Sequence, residues 1–186
     1  MNRREAVQHI SLLLGGTILG ANAFITGCNT EANNKVDFST EDIDFLDEVG
    51  ETILPATNTP GAKAAKVGEH MKIMVNDCYD EGDQKVFRDG MKDLKSRAKK
   101  EYNEDFMNLK PEQRLELLTK LDNEAKETMK TWKAPAAKPY FRLMKELTLL
   151  GYFTSEIGCT QARRYVETPG RYEGCIPYKK GDRAWA

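Results

Sequence analysis

The chain has 186 residues, with 28 Lys+Arg against 29 Asp+Glu and a formal net charge of −1. That length suffices for one domain with a real core. The near-neutral balance removes any electrostatic reason to expect nucleic acid, which needs a clustered basic face. Charged residues make up 31% of the chain and mean hydropathy is −0.62. The apolar content is carried by Leu, Met, Ala and Phe more than by Val and Thr. This favours helices, so the expected fold is all-α: a small irregular bundle of about five helices with an irregular, aromatic and Gly-rich C-terminal tail.

Residues 1–27 read as an export signal. Arg3 and Arg4 form a short positive region. Ile10 to Ile25 is mostly apolar but is broken by Gly15, Gly16, Gly20 and Asn22. It is too short and interrupted for a membrane span, which needs about 20 largely apolar residues. Ile25-Thr26-Gly27-Cys28 resembles the lipobox of bacterial lipoprotein signals, which makes Cys28 the candidate lipid-bearing residue. An ordinary signal with an incidental cysteine is the alternative. Asn2-Arg3-Arg4-Glu5 resembles a twin-arginine signal, although Ala6 stands where a hydrophobic residue is usual. Residues 28–38 are polar, without periodicity, and suit a tether. Residues 39–186 are expected to form one helical domain including the tail. This arrangement implies the periplasmic side of the cell envelope, with a lipid holding the chain at a membrane surface.

The first helix is expected from Ser39 or Thr40, with Glu41 and Asp42 in its first turn. Ile43, Leu46, Val49 and Ile53 form its apolar stripe and Pro55 stops it. Residues 56–61, ATNTPG, are loop chemistry. A second helix runs from Ala62 or Val67 to Cys78, with Val67, Met71, Met74 and Val75 in line. A break at 80–83 follows, with Asp83 as the expected cap. The third helix then carries Phe87, Met91, Leu94 and Ala98 on one side. Residues 99–109 read as a connection that drops Tyr102 and Phe106 onto the core. Pro111 suits the first position of a fourth helix, striped by Leu115, Leu118, Leu121, Ala125 and Met129. Residues 130–139, with two prolines, form a loop.

Tyr140 to Gln161 concentrates the apolar mass. Tyr140, Met144, Leu147 and Leu150 fall at helical spacing, and Phe141, Leu143, Leu149 and Phe153 widen the face. The helix is expected to end near Gly151 or Gly158. A helix this apolar is buried against other helices or against a partner. Its Tyr140, Met144 and Leu147 side is expected to face the domain, and its Tyr152 and Phe153 end a partner. The tail that follows is punctuated by Pro169-Gly170, Gly174, Pro177 and Gly181, with Tyr165, Tyr172, Tyr178 and Trp185 recurring along it. Two uses are open: covering the domain's own core, or displaying aromatics and arginines such as Arg164 to a partner, residue types that dominate interface hot spots.

No catalytic constellation is visible. His9 lies in the signal, and His70 beside Glu69 reads as a surface helical histidine, because one histidine with scattered carboxylates does not make a metal site. No glycine-rich loop follows a strand, so a dinucleotide fingerprint is missing. Cys159 has no local base and reads as a small buried residue. Export permits a disulfide, and a Cys78–Cys175 bridge would pin the tail to the helices. It would close a loop of about a hundred residues, for which loop entropy gives roughly 4–5 kcal/mol. Three reduced cysteines are the alternative. No C-x-x-C spacing suggests an iron–sulfur or haem site.

Several motifs in order resemble one family. Glu51-Thr52-Ile53-Leu54-Pro55-Ala56-Thr57, Thr59-Pro60-Gly61-Ala62 and Asp77-Cys78-Tyr79 look like the start of the gluconate 2-dehydrogenase subunit 3 family. Phe141-Arg142 and Lys145 to Glu156 continue the likeness, as do Pro169-Gly170, Gly174-Cys175, Pro177-Tyr178 and Gly181 to Trp185. The resemblance implies a small helical subunit without a cofactor of its own. Its partner would be a large flavoprotein subunit of the glucose–methanol–choline type, which holds FAD and carries out the hydride chemistry. A cytochrome or another acceptor takes the electrons. The candidate partner contacts are then Tyr152, Phe153, Arg164, Tyr165, Tyr172, Tyr178 and Trp185. A stand-alone lipid-anchored helical binding protein is the rival reading.

Overall fold

The computed structural model describes residues 38–168 and 170–185. The expected signal (Arg3, Arg4), the lipidation site Cys28 and nearly all of the tether lie outside the described residues. Among those described there are five α-helices: α1 Thr40–Ile53, α2 Val67–Cys78, α3 Glu81–Tyr102, α4 Pro111–Thr131 and α5 Tyr140–Thr154. A 3-10 turn spans Phe106–Asn108 and a π-helical turn spans Gly158–Ala162. The fold is the all-α bundle expected from composition and periodicity.

α1 starts where a capping residue is available. Ser39 Oγ accepts from the Asp42 backbone N–H at 3.2 Å, and the Asp42 carboxylate accepts from the Ser39 N–H at 3.4 Å. This reciprocal cap satisfies two otherwise orphaned donors. Asp42 also pairs with Lys95 of α3 at 2.7 Å. Leu46 and Val49 are fully buried as expected, but so is Phe45, while Ile43 and Ile53 are only half-buried. The buried face is rotated toward Phe45 because Phe106 of the 3-10 turn packs edge-on against it, with ring centroids 5.3 Å apart.

The loop after α1 is held by one side chain. The Glu51 carboxylate accepts from the backbone N–H groups of Ala56 (2.8 Å) and Lys63 (2.9 Å). α2 then starts at Val67, after Lys66 in the left-handed region. No local side chain caps it. Asp47 of α1 does so across the helix pair, accepting from the Gly68 N–H at 2.7 Å. Burial pushes the Asp47 carboxyl above its ordinary value.

The cap of α3 is Asp80, not Asp83: Asp80 Oδ1 accepts from the Asp83 N–H at 2.8 Å. The helix also runs past the expected break at Lys99, to Tyr102, and ends on Asn103 in the left-handed conformation. Lys, Glu and Ala are good helix formers, so nothing local stops it earlier. Phe87, Met91, Leu94 and Ala98 are buried as expected. α4 begins with Pro111 at its first position.

One expectation for α4 fails. Leu115 is 57% exposed, whereas Leu117 is fully buried. At about 100° per residue the row Leu117, Leu118, Leu121 and Ala125 is centred near Arg114, and Leu115 falls well to its side. Arg114 faces inward and pairs with Glu48 of α1. It also donates to the carbonyls of Phe106 (3.1 Å) and Met107 (2.6 Å). Lys63 reaches the other Glu48 oxygen at 2.8 Å. Burial alone would raise the Glu48 carboxyl, but Lys63 and Arg114 outweigh it and hold it below its ordinary value.

α5 is the central element. It touches each of the other four α-helices. Phe141, Leu143, Met144 and Leu147 are buried, as is Thr148, whose hydroxyl donates to the Met144 carbonyl at 2.8 Å. The Tyr140 hydroxyl donates to Asp93 of α3 at 2.7 Å, and Arg97 holds the same carboxylate oxygen at 2.8 Å. Gly151 does not end the helix. It lies inside it, under the His70 ring: a Cβ there would sit 2.7 Å from His70 Cδ2. His70 is therefore a half-buried contact between α2 and α5, not a surface histidine. Its Nε2 has no hydrogen-bond partner, and burial lowers its pKa below the ordinary value.

Candidate functional site

The surface that differs from an ordinary solvated face begins where α5 ends. Ser155 stops the helix, its N–H and Oγ both directed at the Tyr152 carbonyl. The π-helical turn follows, closed by the Arg163 N–H donating to the Gly158 carbonyl at 3.0 Å. Such turns often occur at functional places. The Arg163 guanidinium sits over the Phe153 ring at 4.4 Å, and Cys159 Sγ donates to the Phe153 carbonyl at 3.3 Å.

The chain then leaves the bundle. Every described residue from 165 to 185 is exposed. The tail therefore does not cover the core, the first of its two expected uses. Tyr172 is 95% exposed, Tyr178 76% and Tyr165 54%. Among the described residues, six of the eleven exposed large apolar side chains lie between 165 and 185. Concentrated apolar exposure of this kind marks an interaction site more often than scattered exposure does.

Arg164 organises this tail. Its backbone N–H donates to the Ala184 carbonyl at 2.8 Å and its Nε to the Arg183 carbonyl at 2.7 Å. Its guanidinium stacks over Trp185 at 4.5 Å. A single parallel bridge between Arg164 and Trp185 closes the segment into a hoop. The sequence marked Arg164 and Trp185 only as separate surface residues, because nothing local announces a contact across about twenty positions.

The structure divides the other expected contacts. Tyr152 is 4% exposed and its hydroxyl donates to the Pro60 carbonyl at 2.6 Å, so it belongs to the core. It falls on the i, i+4 row from Met144 and Thr148. Phe153 is half-buried against the core and covered by Arg163. What α5 turns outward is Leu149 and Leu150, 37% and 45% exposed, which sequence spacing had assigned to the buried face. The buried Thr148 and Gly151 between larger residues were the signal for this rotation. The Cys78–Cys175 bridge is not formed: Cys78, Cys159 and Cys175 are free thiols, the first and last exposed. Cys175 rides on the projecting tail, and Cys78 contacts Met74 Sδ at 3.9 Å instead.

Among the described residues no group of three or more His, Cys, Asp or Glu side chains is arranged to hold a metal ion, and no helix is long and apolar enough to cross a membrane. The exposed segment presents apolar rings and the Arg164 guanidinium stacked on Trp185.

No curated protein and no solved structure matches the chain. The family model described as gluconate 2-dehydrogenase subunit 3 matches residues 40–170, which take in the whole helical body and the start of the tail. The closing Gly174-Cys175 to Trp185 motifs lie beyond that match. With most of its length covered, the chain belongs to the gluconate 2-dehydrogenase subunit 3 family.

Proposed function

We propose that this chain is the non-catalytic small subunit of an exported flavin-dependent sugar or sugar-acid dehydrogenase. Its role is to support folding, export and stability of a large subunit of the glucose–methanol–choline type. FAD resides in that large subunit, which selects the substrate, and electrons leave through a cytochrome or another acceptor. The complex works on the periplasmic side of the envelope, held at the membrane surface through a lipid on Cys28.

The observation that carries this reading is the tail. A chain that closes its own core and then exposes aromatics and guanidiniums has kept them for another molecule. Family membership names the kind of complex. One observation favours the rival, a stand-alone lipid-anchored binding protein: α5 already serves as the chain's own core and does not require a partner to bury it.

Affinity capture of the tagged full chain from native membranes, followed by an absorbance spectrum, separates the two. The proposal expects a co-purifying large protein with flavin bands, and no flavin on the chain alone. A stable, monodisperse monomer that never recovers a flavoprotein overturns it.

A further inference from the structure

The hoop differs from the bundle that carries it in charge as well as exposure. Residues 163–185 hold six basic side chains (Arg163, Arg164, Arg171, Lys179, Lys180, Arg183) and three acidic ones, a net of +3. Residues 39–162 hold 19 basic and 23 acidic side chains, a net of −4. Opposite charges on one chain attract, yet the hoop does not lie down on its own body. Its shape is set instead by internal bonds. Besides the Arg164 clamp, the Lys179 N–H donates to Asp182 and the Asp182 N–H to the Lys179 carbonyl, both at 3.0 Å. This turn projects the Lys179-Lys180 pair beside Tyr178.

The hoop also encloses a hollow. Val166, Tyr172, Ile176 and Trp185 line an open concavity of about 1140 Å³ together with the Arg171–Glu173 ion pair. Gly170 is among its lining residues, and a Cβ placed there would meet nothing within 4 Å. An apolar hollow in a segment of net charge +3 accepts a protruding apolar segment flanked by acidic residues. Interfacial binding to a bilayer is the work of an amphipathic helix face, and no helix follows Ala162 among the described residues.

We propose that the hoop is a docking element for an acidic, apolar-centred protrusion on the flavoprotein partner, with Arg164 as the positioning residue that keeps the hoop closed. The proposal rests on the functional reading above and adds the site and chemistry of contact. The hoop's net positive charge steers the encounter, and the aromatics slow dissociation.

The probe is the flavoprotein recovered with the tagged chain, separated and immobilised, against full-length variants. Lys179→Glu/Lys180→Glu is expected to lower the association rate about tenfold or more near 50 mM salt. The difference should vanish toward about 0.5 M, where screening is short-ranged. Lys130→Glu/Lys133→Glu on the body should leave the rate unchanged. Arg164→Ala should weaken binding about tenfold while the thermal midpoint stays within a degree or two of wild type, since the clamp joins tail to tail and not tail to bundle. Equal low-salt association rates for wild type and Lys179→Glu/Lys180→Glu overturn the proposal while leaving the subunit reading intact. Capture by phosphatidylglycerol vesicles that is lost in the same variant, with flavoprotein binding unaffected, overturns it in favour of a membrane contact. If wild type recovers no flavoprotein, the subunit reading fails and the proposal with it.

Discussion

Gly90 offers a test in which local and tertiary reasoning predict opposite signs. It lies inside α3, buried, beneath the first residue of α5. A Cβ placed there would overlap Cβ, Cγ and Cδ2 of Tyr140, the last at 2.5 Å. The overlap reaches the Tyr140 Cβ, which is bonded to the α5 backbone, so rotating the ring cannot relieve it. Helix propensity alone makes Gly90→Ala stabilising by about 0.8–1 kcal/mol. Overpacking costs about 1–3 kcal/mol. Displacing Tyr140 also strains its 2.7 Å hydrogen bond to the Asp93 carboxylate, a bond class worth about 1.5–3 kcal/mol. The net expectation is a loss of about 2–4 kcal/mol, or roughly 5–15 °C in thermal midpoint for a chain of this size. Urea and thermal melts followed by far-UV circular dichroism measure it. Tyr140→Gly should remove the clash, Cβ included, so that Gly90→Ala becomes neutral or favourable when made in that background. A Gly90→Ala protein as stable as wild type, or more so, would refute the close α3–α5 contact.

Arg114→Met should cost about 2–3 kcal/mol in a urea melt. It leaves Glu48 with Lys63 alone and strips a donor from the Phe106 and Met107 carbonyls. The paired carboxyl has a lowered folded-state pKa, so its contribution is present above the unfolded value near 4.5 and fades as pH falls below it. Wild type and variant stabilities should therefore converge in strong acid. His70 acts in a higher window. Its folded-state pKa is lowered by burial, so stability is full above about 6.5 and falls as pH drops from there. His70→Met should flatten the stability profile below about pH 6.5, and parallel profiles would count against a buried neutral imidazole. Leu117→Ala should cost about 2–5 kcal/mol, whereas Leu115→Gln should stay within about 0.5 kcal/mol. The reverse order in chemical denaturation would mean that α4 is rotated.

Much of the bundle was legible in one dimension. Ser39 with Asp42, Pro55, Pro111 and the apolar rows of α2 and α3 act through neighbours three or four residues away, and such interactions are written locally. The family was legible for a related reason: its motifs lie in the loops and the α5 segment that position the helices, in a fixed order along the chain.

What the sequence could not settle was which part of each apolar row is covered. Leu115, Leu149 and Leu150 satisfy helical spacing as well as Leu117 and Leu147 do, and only the neighbouring helices decide between them. α2 is capped from α1 by Asp47, and α5 turns Thr148 and Gly151 inward where close packing leaves no room for larger side chains. The tail shows the same limit. Its composition suited a cover for the core as well as a display surface. The choice was made by long-range contacts: the core closes without it, and Arg164 binds Ala184, Arg183 and Trp185 across about twenty residues. Periodicity reports that a face is apolar, but coverage depends on contacts between residues far apart in the chain, which only the assembled bundle brings together.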